Sequence, residues 1–190
     1  MPARLFVVSG PSGVGKGTVI RGARAQLPEL AVATSATTRP RRPGEKDGRE
    51  YHFLEAPEFE RRVAAGDFLE HVSYAGNRYG TLRSEVERRL ERGCDVVLEI
   101  EVVGARAVKR QMPDAVLVFI APPEMADLGR RLRRRDTDSD EEIEDRMRIA
   151  RTEMEAKPEF DYVITNDDAG RASAELAALV RSMRQHEERP

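Results

Sequence analysis

The chain has 190 residues, 39% hydrophobic and 35% charged, the balance of a soluble globular protein with one substantial core and smaller appended lobes. A formal net charge of −2 gives no global pull toward nucleic acid or anionic lipid, so any anion recognition must come from local basic clusters. Cys94, the only cysteine, excludes an internal disulfide and a cysteine-based metal site, and no apolar run approaches a membrane span; a cytoplasmic protein without nucleic-acid or membrane partners is expected.

In chain order, RLFVVS (Arg4 to Ser9) reads as a buried strand that stops at glycine, and GKGTVIRGARAQL reads as a helix ended before Pro28. From Ser35 to about Leu82 the pattern changes: glycines, prolines and three of the four tyrosines (Tyr51, Tyr74, Tyr79) appear, with helical periodicity only over Pro57 to Ala65. This segment reads as an inserted lobe of short strands. A helix through Val86 and Leu90 closes at Gly93. Then strands at Cys94 to Glu101, Asp114 to Ala121 and Phe160 to Asn166 alternate with helices at Val103 to Gln111, Glu124 to Arg134 and Glu141 to Ala156. The capping box Ser139 to Glu142 opens the third of these, and a final helix runs from Ala169 to about Gln185. The alternation predicts an α/β fold, a parallel sheet with helices on both faces.

Between the first strand and first helix lies GPSGVGKGT (Gly10, Pro11, Ser12, Gly13, Val14, Gly15, Lys16, Gly17, Thr18). It fits the phosphate-binding pattern G-x-x-x-x-G-K-[ST] except that Gly17 fills the hydroxyl slot and Thr18 comes one step late. Strand, glycine-rich turn and helix form the setting in which backbone N–H groups and the helix dipole converge on phosphate oxygens, with Lys16 adding a mobile charge. A second anion site is readable in TTRPRRPGEKDGREYHF, where Arg39 and Arg42 offer planar forks for phosphate and Tyr51 a further hydroxyl.

That second run resembles the signature of the guanylate kinases, bacterial type, which are P-loop nucleoside monophosphate kinases: Thr37, Thr38, Arg39, Arg42, Glu45, Gly48, Tyr51 and Phe53 keep the family's spacing. The resemblance covers nearly the whole chain. It implies that FLEHVSYAGNRYGT is the second nucleotide-recognition stretch, with Glu70, Tyr79 and Thr81 in functional positions. A carboxylate at Glu70 can accept from guanine N1–H and N2–H₂, while Ser35 and Thr81 reach the remaining polar edge atoms; adenine would set a lone pair against that carboxylate. VLEIEVVGA resembles the family's LEID-x-x-GA stretch, with Glu101 where aspartate is usual and Val103 where glutamine is usual. The implied role of Glu101 is to contact guanine or the water shell of the metal; Glu99 either joins the metal environment or caps the strand's open end. RRLRRRDTDSDEEIEDRM resembles the arginine-bearing lid and its following helix, with Arg135 and Arg146 at the family positions and Arg133 and Arg134 readable as a solvated face. Asn166 falls where the family contacts the adenine of ATP.

The resemblance thus implies a P-loop nucleoside triphosphate hydrolase-like core (1–34 and 83–190), a GMP-binding lobe (35–82) and a short lid (133–145). The implied reaction is direct phosphoryl transfer from ATP to GMP or dGMP, with magnesium as cofactor. Lys16, Arg135 and Arg146 are the expected catalytic groups. No direct metal ligand is expected; Thr18, Glu99 and Glu101 would act through water. His52, His71 and His186 lack metal-ligand spacing and read as packing or surface residues. Two alternatives stay open: another small-molecule kinase on the same fold, which would not need Ser35, Glu70 and Thr81 beside Arg39, Arg42 and Tyr51, and a non-catalytic binding module, in which the phosphate loop is typically degraded.

Overall fold

A computed structural model describes residues 3–74, 76–133 and 140–185. Leu5–Ser9 forms β1, every side chain of it buried, and Lys16–Gln26 forms α1. A short strand, β2 (Ala31–Val32), which the sequence does not announce, leads into the lobe segments β3 (Ala36–Thr37), β4 (His52–Phe53), α2 (Ala56–Ala64), β5 (Phe68–Tyr74) and β6 (Asn77–Leu82). The chain returns through α3 (Arg83–Glu91), β7 (Val96–Glu99), α4 (Val102–Gln111), β8 (Val116–Ala121) and α5 (Met125–Arg133). It ends with α6 (Asp140–Glu155), a 3-10 turn at Lys157–Glu159, β9 (Tyr162–Thr165) and α7 (Ala169–Gln185).

The core sheet is parallel in the order β2-β7-β1-β8-β9, with β1 at its centre. Alternation along β1 divides the interior in two. Phe6 and Val8 point into one cluster with Val19, Ala23, Leu176 and Val180, while Leu5 and Val7 point into another with Val86, Val102, Ala105 and Phe160. Helices α1 and α7 therefore cover one face and α3 and α4 the other, as the near-continuous apolar strands require. The two helices of the first face approach closely because Gly22 on α1 has no side chain to meet Ser173 on α7.

The inserted lobe is a four-stranded sheet in the order β4-β3-β6-β5, β3 and β4 parallel and the other pairs antiparallel. It has its own small core, in which Phe59 from α2 stacks on Phe68 beside Ala36 and Leu82. A bulge between Phe68 and Glu70 shifts the β5 register so that Phe68 enters this small core, Leu69 the main one, and Glu70 stands opposite Thr81. Arg133 ends α5, and the capping Ser139, Arg134 and Arg135 lie outside the described residues.

Candidate active site

The phosphate loop occupies the turn between β1 and α1. Gly10, Gly13 and Gly15 have φ of 139°, 84° and 101°, values that L side chains rarely adopt. A side chain at Gly10 would strike the Ile120 carbonyl of β8, and one at Gly15 would come within 2.6 Å of the Asn166 amide. Lys16 is only 7% exposed; its Nζ donates to the Gly10 carbonyl at 2.6 Å and lies 3.8 Å from a carboxylate oxygen of Glu101.

Asn166, at the end of β9, is 4% exposed and donates from its amide to the Val14 carbonyl at 2.7 Å, while its own Oδ1 is buried without a partner. Arg131 of α5 donates to the same Val14 carbonyl at 3.0 Å and to the Asn166 carbonyl at 2.7 Å. Arg131 was not distinguishable within the arginine run by composition. Its signal is helical spacing, since it stands three residues after Leu128 and one before Leu132, both buried, which turns it inward toward the loop.

A cavity of about 600 Å³ opens from this loop. Its wall includes Ser12, Lys16, Gly17 and Thr18 from the loop, Glu99 at the end of β7 and Glu101 just after it, and Ser35, Glu50 and Tyr51 from the lobe. The phosphate loop and the lobe thus face one space. Burial, opposed by Lys16, raises the Glu99 carboxyl above its ordinary value, and Glu101 beside it adds to the rise. Thr18, exposed at the third position of the helix, accepts a bond from Arg21 at 3.1 Å.

Deeper in the lobe, Glu70 is 8% exposed and accepts the Thr81 hydroxyl at 2.8 Å. Burial pushes its carboxyl above the usual range, against the Thr81 bonds that pull it down. Its other oxygen looks toward Gly104 in the first turn of α4, where a side chain would come to 3.4 Å. Arg39 is gripped by both oxygens of Glu45 at 2.8 and 3.0 Å, and its guanidinium lies 5.5 Å from the Tyr51 ring. Tyr51 meets Tyr79 edge to face, and burial raises its hydroxyl pKa. Arg42 is exposed, its backbone N–H held by Glu45 at 2.8 Å. Glu45 therefore orders both arginines. The structure brings Ser35, Arg39, Tyr51, Glu70, Tyr79 and Thr81 onto one lobe, and sets Arg146 on α6, half-buried, two turns before Glu153. Arg135 lies outside the described residues.

Among the described residues no group of three or more His, Cys, Asp or Glu side chains is arranged to hold a metal ion, and no helix is long and apolar enough to cross a membrane. His52 does more than the sequence suggested, lying 3.6 Å from the buried carboxylate of Glu85.

A parallel core with a glycine-rich phosphate loop, an inserted four-stranded lobe facing it and an arginine-rich helix pair defines a P-loop phosphotransferase of the nucleoside monophosphate kinase class. The family model for guanylate kinase matches residues 2–183. The chain is 53% identical over 180 residues to a guanylate kinase of Frankia casuarinae, covering 95% of this chain and 98% of that protein. It is 50% identical to one of Thermobifida fusca, covering 94% and 91%. The crystal structure of guanylate kinase from Anaplasma phagocytophilum superposes with a TM-score of 0.70 at 28% identity, over 95% of this chain and 85% of that one. The chain belongs to the guanylate kinase family.

Proposed function

We propose that the protein transfers the γ-phosphoryl group of ATP directly to the phosphate of GMP or dGMP, in the cytoplasm, as a step of purine nucleotide metabolism. The observation that carries this is the single cavity walled by a complete phosphate loop on one side and by Ser35 and Tyr51 of the lobe on the other. Donor and acceptor phosphates need to meet in line with water excluded, and two sites on facing elements meet that need by closing together.

In this reading the loop from Gly10 to Thr18, through the backbone N–H groups it has other than at Pro11, and the Lys16 ammonium hold the ATP phosphates, and Asn166 borders the adenine. Arg39, Arg42 and Tyr51 clamp the GMP phosphate, with the Arg39 guanidinium held in the lobe by Glu45 and by the Pro40 carbonyl until the phosphate draws its donors away. Ionised Glu70 accepts from guanine N1–H and N2–H₂, with Ser35, Tyr79 and Thr81 completing the pocket and Glu101 at its edge toward the phosphates. Arg135 and Arg146 stabilise charge spread over the migrating group, which asks for electrostatics rather than covalent chemistry.

The oxygen donors Glu99, Glu101 and Thr18 at the cavity wall suit a hard cation carried on ATP oxygens and waters. These three residues would orient the waters of a magnesium ion carried on ATP, and that ion would supply charge shielding for the triphosphate. A coupled ADP-release assay across GMP, dGMP, AMP, UMP and CMP tests the proposal. Turnover confined to the guanine nucleotides is expected; equal turnover with AMP would refute the base assignment.

A further inference from the structure

At the root of the lobe lies a buried carboxylate that phosphoryl transfer does not use. Glu85 stands in the first turn of α3, just after the chain leaves the lobe, and is 4% exposed. One of its oxygens accepts the Thr34 N–H at 3.2 Å together with the side chain of Arg89; the other lies 3.6 Å from Nε2 of His52. Burial raises this carboxyl, but the bonds from Arg89 and Thr34 outweigh it and hold Glu85 below its ordinary value, so it is an ionised acceptor.

These contacts converge on one short stretch of backbone. Thr34 is the last residue before the lobe, and the carbonyl of Ser35, next along, accepts the backbone N–H of His52 at 2.9 Å, the same residue whose ring meets Glu85. The chain is therefore gripped on both sides of the Thr34–Ser35 peptide, by Glu85 directly and by His52, which Glu85 touches. Ser35 is the lobe residue at the cavity wall nearest this grip. The adjoining strand β3 is only two residues long, too short to fix Ser35 by sheet pairing alone.

We propose that Glu85 is a positioning residue for guanine recognition, which through Thr34 and His52 fixes the backbone that presents the Ser35 hydroxyl to the GMP pocket. The proposal rests on the assignment of Ser35 to that pocket. Glu85 touches no substrate; its effect passes through the orientation of a neighbour, so it belongs to KM for GMP rather than to the chemical step.

The test is a double-mutant cycle of Glu85→Ala and Ser35→Ala, with KM for GMP, KM for ATP and kcat measured for each protein. Glu85→Ala is expected to raise KM for GMP about fivefold with kcat and KM for ATP nearly unchanged. In the Ser35→Ala background the same substitution should add almost nothing. Glu85→Gln keeps an oxygen for the Thr34 N–H and should restore most of the affinity, and hydrogen exchange at the Thr34 amide should be faster in Glu85→Ala than in Glu85→Gln. If Ser35→Ala left KM for GMP unchanged, the pocket assignment would fail and this inference with it. If Ser35→Ala raised KM but neither Glu85 variant did, or if the two effects multiplied in the double variant, the inference alone would fall.

Discussion

Replacing Glu153 by glutamine probes the electrostatics beneath the phosphate loop. Glu153 on α6 lies beside the Glu101 carboxyl and the Ser12 N–H, and its buried Oε2 meets no hydrogen-bond partner among the described residues. Two carboxyl groups so placed bond only by sharing a proton. Burial first, and then Glu101, push Glu153 from 4.5 up to about 8. Because the folded value exceeds the unfolded one, the stability this site contributes is fully present below the unfolded value of 4.5 and is lost as pH rises through about 8. A shift of that size corresponds to ~5 kcal/mol unscreened. Glu153 is only half-buried and solvent screens it, so the difference to be seen is on the order of 1–2 kcal/mol. Glutamine has nearly the same shape, stays neutral and can donate to Glu101. Glu153→Gln should therefore match the parent at about pH 5, where Glu153 keeps its proton, and exceed it by about 1–2 kcal/mol at about pH 9, where it does not. Urea unfolding at both pH values reads this as a shift in midpoint at constant slope. A stability difference of the same size at both would refute the shared proton.

Glu70→Gln should lower kcat/KM for GMP by about tenfold or more, with KM for ATP unchanged, since an amide replaces a charge-assisted acceptor. Unaltered GMP kinetics would remove Glu70 from the site. Since burial raises the Glu70 carboxyl and guanine needs it ionised, GMP affinity in the parent should decline on acidification at a pH above the ordinary carboxylate range; a decline absent until well within that range would contradict the burial effect. Arg39→Ala should raise KM for GMP, whereas Arg146→Ala should mainly lower kcat; identical profiles would overturn the division between clamp and transfer group. Lys16→Ala should abolish most transfer, while Gly17→Ser, costing or gaining at most about 1 kcal/mol of helix propensity, should stay within a few-fold of the parent in a magnesium titration at saturating ATP and GMP. A nearly inactive parent rescued by serine would show that the loop does not work as written.

The core was legible because its strands announce themselves. VLVFIA, all six residues of β8 buried, can only be a strand covered on both sides, and glycines or prolines mark most of the turns. β2 was not legible: Ala31 and Val32 carry no pattern of their own and become a strand only because β7 offers an open edge to pair with. The lobe's strands were too short for periodicity to register, so its chemistry was read before its geometry. Motif spacing singled out Arg39, Tyr51, Glu70 and Thr81, which the structure carries on or beside the short strands of one lobe. It could not see that Glu45 orders Arg39, because a glutamate in a charged run reads as solvated until its partner is in view. Arg131, Glu85 and Glu153 were missed for the same reason: each acts on backbone groups or carboxyls distant in sequence.

The glycine after Lys16 is explained by what crowds it. Gly17 lies in the first turn of α1, and its N–H is directed to the Glu99 carboxylate at the end of β7. A Cβ at this position would come within 3.2 Å of Glu99 Oε2 and 3.4 Å of Arg21. In a loop with serine or threonine here, the hydroxyl would project into the space that Glu99 reaches. In this chain a carboxylate from the neighbouring strand brings its oxygen to that space, and Thr18, one residue on, turns outward to Arg21. A carboxylate oxygen thus stands near the place a hydroxyl would take, an arrangement that under the proposed function would suit a cation bound through its waters. Gly17→Ser would have to move Glu99 by a few tenths of an ångström, and the magnesium titration of that variant reads how easily the carboxylate gives way.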